Sequence, residues 1–398
     1  MLDQSILDKL NRPGRENRLA ALRDIMRETD FIPADERYIN NHIHTFYSFS
    51  PYSPTAAVFA ARSEGLATAG IVDHDSIAGA FEFIEAGKIA GIPTTVGIEC
   101  RVLMKGTPFE ERRTNNPDQT GVSYMTIHAV AHDKIDMLQS HFAPLREKRN
   151  ARNRSMTENI NALFSGSPIK LDFDNDVVPI SMAHEGGSIT ERHLMFALCK
   201  AIIKAYGRGE GAIEFLKKTG IELTPKQTKL LTDTGNRFYE YDLLGILKSA
   251  FLPKVFIPAS DECMTLNDIA ELAGKIGAIA CYAYLGDVYE SVTGDKKAQK
   301  FEDDYLPELF QTLRENGIRA VTYMPTRNTP FQLTRVRALC EKFGMFQVSG
   351  EDINSPRQSF VVRAMEDPLF SNLIGSTKAL IAHENGKKKI NYPKGANQ

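Results

Sequence analysis

The sequence has almost no charge imbalance: 48 Lys and Arg stand against 50 Asp and Glu, a formal net charge of −2. A surface tuned throughout to nucleic acid carries a basic excess, so that class is disfavoured, although a local basic strip is compatible with the total. No CxxC pair is present. The five cysteines (Cys100, Cys199, Cys263, Cys281 and Cys340) are odd in number and widely spaced, which argues against a disulfide framework and for reduced thiols in a reducing compartment. The opening MLDQSILDKLNRPGREN lacks the apolar run of a signal peptide, and no later stretch approaches a membrane span. A cytoplasmic protein without a membrane partner is expected. Internal repeats and low-complexity tracts are also missing.

What is there is a chain of 398 residues, 42% hydrophobic and 25% charged, long enough to bury a substantial core. Leu19, Leu22, Ile25 and Met26 recur at helical spacing and Pro33 ends the pattern, predicting a helical extension over residues 1–36 packed on the main body. From Tyr38 the pattern changes. YINNHIH, ATAGIVD, IPTTVGIE, SYMTIHAVAH, IGAIACYAY, IRAVTYMP and FQVSGED read as strands, with amphipathic helices such as SPTAAVFAARSEG and LNDIAELAGKIG between most of them. This alternation predicts an α/β barrel or parallel sheet with functional groups at the carboxyl ends of the strands. The alternation stops between about Leu145 and Pro258. The expected organisation is therefore a first barrel part over 37–145, a helical insertion over 146–257, and a second barrel part with a tail over 258–398.

The residues able to carry chemistry gather at the ends of these strands. His42-Ile43-His44 places two imidazoles on one face of a strand, able to share a metal, with Tyr38 and Asn40 on the same face. Asp73-His74-Asp75 follows an apolar run and precedes a helix. Either Asp75 or Ser76 caps that helix and the histidine is incidental, or His74 reaches into the barrel mouth with an acidic neighbour orienting its ring. Glu99 closes another apolar run, where a carboxylate is either solvent-facing or paired with a charge. A lone strand histidine such as His128 is more often a satisfied core residue than a ligand, and its neighbour His132 is expected to reach solvent. Asp352 follows an apolar strand in a Gly-containing turn. Imidazole and carboxylate donors without thiolates suit Zn, Mn or Fe rather than Ca.

In this order, HIHTFYS, VDHDS, GIE, the histidine of TIHAVAH and the late SGEDIN resemble the polymerase and histidinol phosphatase (PHP) family of metal-dependent phosphoesterases. SITERHLMFAL is similar to the family helix that carries a ligand histidine, which places His193 at the site, although the usual Arg-Pro before that histidine is replaced here. The resemblance implies a distorted seven-stranded (β/α) barrel of PHP type with a helical insertion. It implies a first metal on His42, His44, Glu99 and Asp352, and a second sharing Glu99 and using His128, with His193 nearby. It further implies attack by a metal-bound hydroxide on the phosphorus of a small phosphorylated substrate. Three family ligand positions are altered: Phe49 stands at an acidic position, Cys281 at a histidine in Ala280-Cys281-Tyr282, and Asn354 at the last histidine in Asp352-Ile353-Asn354. One or two divalent metal sites are therefore expected, the third being lost and His74 partly orphaned, with Cys281 a ligand only as a thiolate.

Arg146, Lys148, Arg149, Arg152 and Arg154 cluster at the start of the insertion, where a solvated helix face competes with a clamp for substrate phosphate through Arg149 and Arg152. Arg327, in TYMPTRNTP, is a second candidate for that role. The leading expectation is a phosphoesterase acting on a small metabolite or nucleotide. The alternatives are a metal-binding regulatory protein with a degraded site, and a nuclease acting on nucleic-acid ends. The insertion is expected to lie over the barrel mouth as a lid.

Overall fold

The computed structural model describes residues 3–288 and 299–395; those parts of the expected segments that fall on 1–2, 289–298 and 396–398 lie outside it. Eight strands form one sheet: β1 (Asp35–Ile43), β2 (Leu66–His74), β3 (Thr94–Leu103), β4 (Val122–His128), β5 (Met264–Thr265), β6 (Ile279–Ala283), β7 (Ala320–Tyr323) and β8 (Phe346–Ser349). Seven of them follow the order β1-β2-β3-β4-β6-β7-β8, and the short β5 pairs with β3. The sheet curls toward closure through a parallel bridge between Ile43 and Ile353. There the His44 amide donates to the Ile353 carbonyl at 2.9 Å, and the Ile353 amide to the His42 carbonyl at 3.2 Å. This closure sets the segment after β8 directly against the two histidines of β1.

The barrel is not wholly parallel. β4 runs antiparallel to both β3 and β6, which a reading of alternating strands and helices does not reveal, because β3 and β4 are joined by a loop without a crossover helix.

The helices follow from local signals. The amino-terminal extension is two helices, α1 (Gln4–Leu10) and α2 (Arg15–Glu28), broken at Asn11-Arg12-Pro13-Gly14, and it buries Leu10, Leu19, Leu22 and Ile25 in the barrel core. Around the barrel lie α3 (Pro54–Ser63), capped by the Ser53 hydroxyl and started by Pro54, and α4 (Ala80–Ala90), stopped by the left-handed Gly91.

α5 (Ile135–Leu163) is 29 residues long, about 43 Å at 1.5 Å per residue. Its early residues Ile135, Leu138 and Phe142 pack in the barrel core and its later ones Met156 and Ile160 in a second core. The boundary expected between 145 and 146 thus falls inside one helix that joins two packing units.

The second unit, the insertion, holds α6 (Glu191–Tyr206), α7 (Glu210–Lys218), α8 (Pro225–Thr232) and α9 (Tyr239–Val255). The chain returns to the barrel through α10 (Leu266–Ile276), α11 (Leu306–Glu315) and α12 (Pro330–Phe343). A capping box starts α10 (Thr265 with Asp268) and another starts α12 (Thr329 with Gln332).

α13 (Ser371–Glu384) packs near the amino-terminal end of β3, where the Glu384 carboxylate accepts from the Val96 amide at 3.0 and 3.1 Å. Burial drives the Glu384 pKa far up. The insertion meets the opposite end. The Ser188 amide donates to the Tyr47 carbonyl at 2.8 Å, Ser76 Oγ donates to the Gly186 carbonyl at 2.8 Å, and Arg357 pairs with Asp242 at 2.7 Å. These contacts reach the loops after β1, β2 and β8, where the histidines stand.

Candidate metal centre

The sheet register assembles the site. His74, the last residue of β2, is the direct ladder partner of Glu99 on β3, and the closure at Ile353 brings Asp352 to β1. Among the described residues, donor atoms converge within 4.8 Å in two groups: His42, His44 and Asp352, and His44, His74 and Glu99. His44 is common to both. Glu99 Oε2 lies 3.1 Å from His74 Nδ1 and 3.5 Å from Nε2 of both His42 and His44. Asp352 Oδ1 is 3.3 Å from His44 Nε2, and the His42 and His44 Nε2 atoms are 3.2 Å apart. His74 is not orphaned; it joins the cluster directly.

Charge within the cluster is finely opposed. Burial alone would raise the Glu99 pKa, but the facing rings of His74, His42 and His44 win and hold it down to about 2. Burial likewise opposes charge on His44, yet the Asp352 hydrogen bond and the Asp352 and Glu99 charges lift its pKa above the ordinary histidine value. Burial dominates at His74 and lowers it to about 3 despite Glu99. His74 is thus a neutral donor, and His44 gives up its Nε2 proton on binding a cation; imidazoles beside carboxylates are a donor set that suits a divalent cation of the Zn, Mn or Fe type.

Asp73 does not orient His74. Its buried carboxylate accepts from the Thr45 amide at 2.7 Å, the Thr45 hydroxyl at 2.6 Å and the Ser48 hydroxyl at 2.6 Å. With its proton given to Asp73, the Ser48 hydroxyl accepts from His44 Nδ1 at 3.2 Å. That arrangement keeps a proton on His44 Nδ1 and turns Nε2, the atom a metal would take, toward Glu99 and Asp352. Nor does Asp75 or Ser76 cap α4, whose first turn has no side-chain cap. Asp75 instead pairs with Arg149.

His128 is fully buried, and neither ring nitrogen has a partner. Burial, reinforced by His42, lowers its pKa to about 3, so a neutral ring with one open lone pair and one unpaired N–H is held in the barrel. A methyl at Gly97 would lie 3.2 Å from His128 Nδ1 and 2.7 Å from the Ile127 carbonyl, so only glycine leaves this ring its place. Its nitrogens fall outside both donor groups. An orphaned buried imidazole costs on the order of 1–3 kcal/mol, a cost that an ion or water bound there would remove.

His193 is placed differently from the expectation. Its Nδ1 accepts from the Thr190 amide at 3.0 Å, closing the capping box that starts α6. A neutral ring that accepts at Nδ1 carries its proton on Nε2, so it offers no lone pair to a metal in this arrangement. The ring packs edge-on against Phe49 at 5.0 Å between centroids. His132 is half-buried rather than turned out to solvent.

The three altered family positions each have a structural use. Phe49 adopts φ 98°, a left-handed backbone unusual for a bulky residue, and its ring enters the insertion core beside Phe196 and Tyr241. Cys281 is buried with its thiol directed to the Ile279 carbonyl at 3.7 Å. Burial raises its pKa far above neutrality, so in this arrangement it is a protonated thiol, and it lies outside both donor groups. Asn354 Nδ2 donates to Asp352 Oδ1 at 2.6 Å, steadying that carboxylate. Among the described residues, the three non-glycine residues with positive φ are Phe49, Asp75 and Ala129; two of them directly follow His74 and His128. Backbone strain concentrates at this site.

The basic cluster at the start of the insertion is neither a solvated face nor an open clamp. Arg149 pairs with Asp75 and, at 2.7 Å, with Glu191. Arg152 pairs with Glu191 at 2.5 Å and Glu262 at 2.9 Å. Arg101, on β3, pairs with the same two glutamates at 2.9 Å each. All six side chains are buried. They form a charge-balanced network that fastens α5 and α6 to the barrel, so Arg149 and Arg152 are not available to substrate. Glu191 and Arg101 were not legible as a pair, being 90 residues apart; the only hint was the acidic residue in Glu191-Arg192-His193 where the family carries Arg-Pro.

Arg327 remains. It is half-buried, and its Nε donates to the Leu285 carbonyl at 3.1 Å. Among the described residues it has no ion-pair partner.

Comparison with known proteins finds a matching segment and a similar fold. Residues 40–214 match the family model of the PHP domain. A crystal structure from Bifidobacterium adolescentis, named as a candidate metal-dependent phosphoesterase, is similar over 85% of this chain and 98% of its own, at 18% identity and TM-score 0.52. An amidohydrolase from Chromobacterium violaceum, with bound sulfate and no metal, is similar over 82% of this chain and 90% of its own, at 16% identity and TM-score 0.53. No curated protein matches the sequence significantly. Residues 40–214 thus carry the sequence pattern of the PHP domain, and the likeness to the two structures is one of fold.

Proposed function

We propose that this protein is a metal-dependent hydrolase of phosphate esters, acting on a monoester or diester of a small metabolite or nucleotide. The observation that carries this reading is the cluster itself: three histidines and two carboxylates converge at a barrel mouth with their donor atoms facing one another. His42, His44, His74, Glu99 and Asp352 would hold the ion or ions, and the orphaned His128 is the group nearest in kind to complete a second position sharing Glu99. A divalent cation held there supplies Lewis acidity to phosphoryl oxygens and acidifies water.

The chain's own residues supply the rest. Asp73 and Ser48 hold the His44 ring in the tautomer that presents Nε2. Asn354 holds the Asp352 carboxylate in line with it. Arg327, with part of its planar fork uncommitted, offers donors matched to phosphoryl oxygens. The insertion lies across the loops of the mouth, which limits the size of what enters and supports a small substrate over a long polymer.

The test is hydrolysis of aryl phosphate monoesters and diesters, then of nucleotides, by protein stripped of metal and reloaded in turn with Mn, Zn or Fe(II). Turnover that returns on reloading and vanishes in His42→Ala supports the reading. Tight metal binding with no turnover on any ester would overturn it in favour of a metal-binding regulatory protein. Cleavage confined to nucleic-acid ends, with a steep salt dependence, would mark a nuclease instead.

A further inference from the structure

We infer that Arg192, on the insertion, binds the anionic group of the substrate, so that the insertion is part of the substrate site and not only its cover. The inference rests on the reading of this centre as one that handles phosphate esters, and it adds a residue that no family motif supplies.

The argument begins with a contrast. Arg101, Arg149 and Arg152 lie beside the same mouth and each has two acidic partners. Arg192, one residue from Glu191, has none among the described residues. Its Nε is buried without any hydrogen-bond partner. One terminal nitrogen makes a single long contact, 3.5 Å to the Asn354 carbonyl, and the guanidinium lies 5.1 Å from the centroid of the Phe49 ring.

Its location is equally specific. Asn354, whose carbonyl Arg192 touches, is the residue whose side chain grips Asp352 Oδ1 at 2.6 Å, and that oxygen is 3.3 Å from His44 Nε2. Arg192 is therefore two contacts from the cluster. From the barrel side, Arg327 follows Thr326, whose amide is tied to Glu351 at 2.7 Å, next to Asp352 in the chain. Two arginines without an ion-pair partner among the described residues thus approach Asp352, one from the insertion and one from the β7 loop.

An unpaired guanidinium that has lost most of its water is costly. Burial lowers the pKa of both Arg192 and Arg327, opposed by the Asp352 charge at Arg192 and by Glu302 and then Asp352 at Arg327. A tetrahedral oxyanion bridging them would restore the missing partner, and the planar fork fits two of its oxygens. Phe49 supplies the wall: its strained backbone turns the ring under the guanidinium, so the residue that replaces a family acid helps to position this cation.

The experiment measures binding of inorganic phosphate to metal-loaded full-length protein by calorimetry, in wild type, Arg192→Ala and Arg192→Lys, with Mn affinity and thermal melting measured alongside. Loss of a charge-assisted contact predicts phosphate binding weakened roughly tenfold to a hundredfold in Arg192→Ala, with partial recovery in Arg192→Lys and Mn affinity unchanged. For any ester the enzyme hydrolyses, KM rises more than kcat falls. Should Arg192→Ala prove unfolded, Arg192→Lys decides, since it keeps the stem and the charge but not the fork. Phosphate affinity unchanged by either variant would overturn the inference, and so would a wild-type protein that binds no phosphate. If phosphate binds through Arg192 but no ester is hydrolysed, the inference stands and the phosphoesterase reading falls.

Discussion

Replacing Asp73 by Asn perturbs the centre without touching a candidate ligand. The Asp73 carboxylate accepts three hydrogen bonds, from the Thr45 amide and hydroxyl and from the Ser48 hydroxyl, all at 2.6–2.7 Å. Asparagine keeps one oxygen acceptor and turns an amide toward a donor, so at least one bond is lost and the Ser48 hydroxyl is free to rotate. His44 Nδ1 then loses its oriented acceptor. Groups that orient a metal-bound imidazole typically change affinity 10- to 100-fold, which is about 1.4–2.7 kcal/mol. Burial raises the pKa of Asp73 in spite of these donors, so removing its charge offsets part of the loss and the lower half of that range is expected.

The assay is calorimetric titration of metal-free protein with Mn or Zn. Ser48→Ala should weaken binding by a similar factor, and the Ser48→Ala/Asp73→Asn double variant by little more than either, because both act through one contact to His44. If both single variants bind within twofold of wild type while His44→Ala loses the metal, the proposed orientation of His44 is wrong.

Other outcomes follow from the same geometry. Glu191→Ala removes the shared partner of Arg101, Arg149 and Arg152, leaving buried cations uncompensated; a loss of about 3–5 kcal/mol in urea unfolding is expected, and a loss under 1 kcal/mol would mean the network does not fasten the insertion. The metal-free protein should also lose stability in mild acid. His128 and His193 are fully buried and burial holds both to about 3, below the unfolded value of about 6.5. The unfolded chain therefore binds more protons between these values, and stability falls as pH drops from about 6.5 toward 3, by up to about 2.7 kcal/mol per pH unit for the two rings. His44, raised in the folded state, works in the opposite sense above about 6.5, where stability is lost as pH rises through its folded value, and adds no slope below that. Unfolding free energies that stay level between pH 7 and pH 5 would contradict this.

Much of this protein was carried by linear order. The apolar runs and the helices between them are local patterns with periods of 2 and 3.6, so seven strands around a barrel and a helical insertion were legible. His42 and His44 share a face because they are two residues apart, and Glu99 and Asp352 announce themselves by closing apolar runs. The antiparallel course of β4, the passage of α5 through both cores and the closure at Ile353 were not legible, because each depends on pairings between segments far apart in the chain. The same limit governs the charges. Sequence shows that Asp73, Arg149, Arg152 and Arg192 exist, but their roles turn on which opposite charge stands beside each. Tertiary structure alone decided that Asp73 serves His44, that Arg149 and Arg152 are consumed by Glu191, and that Arg192 has no acidic partner among the described residues. A side chain's own chemistry is written in its residue type, whereas the field around it comes from neighbours that only folding brings within a few ångströms.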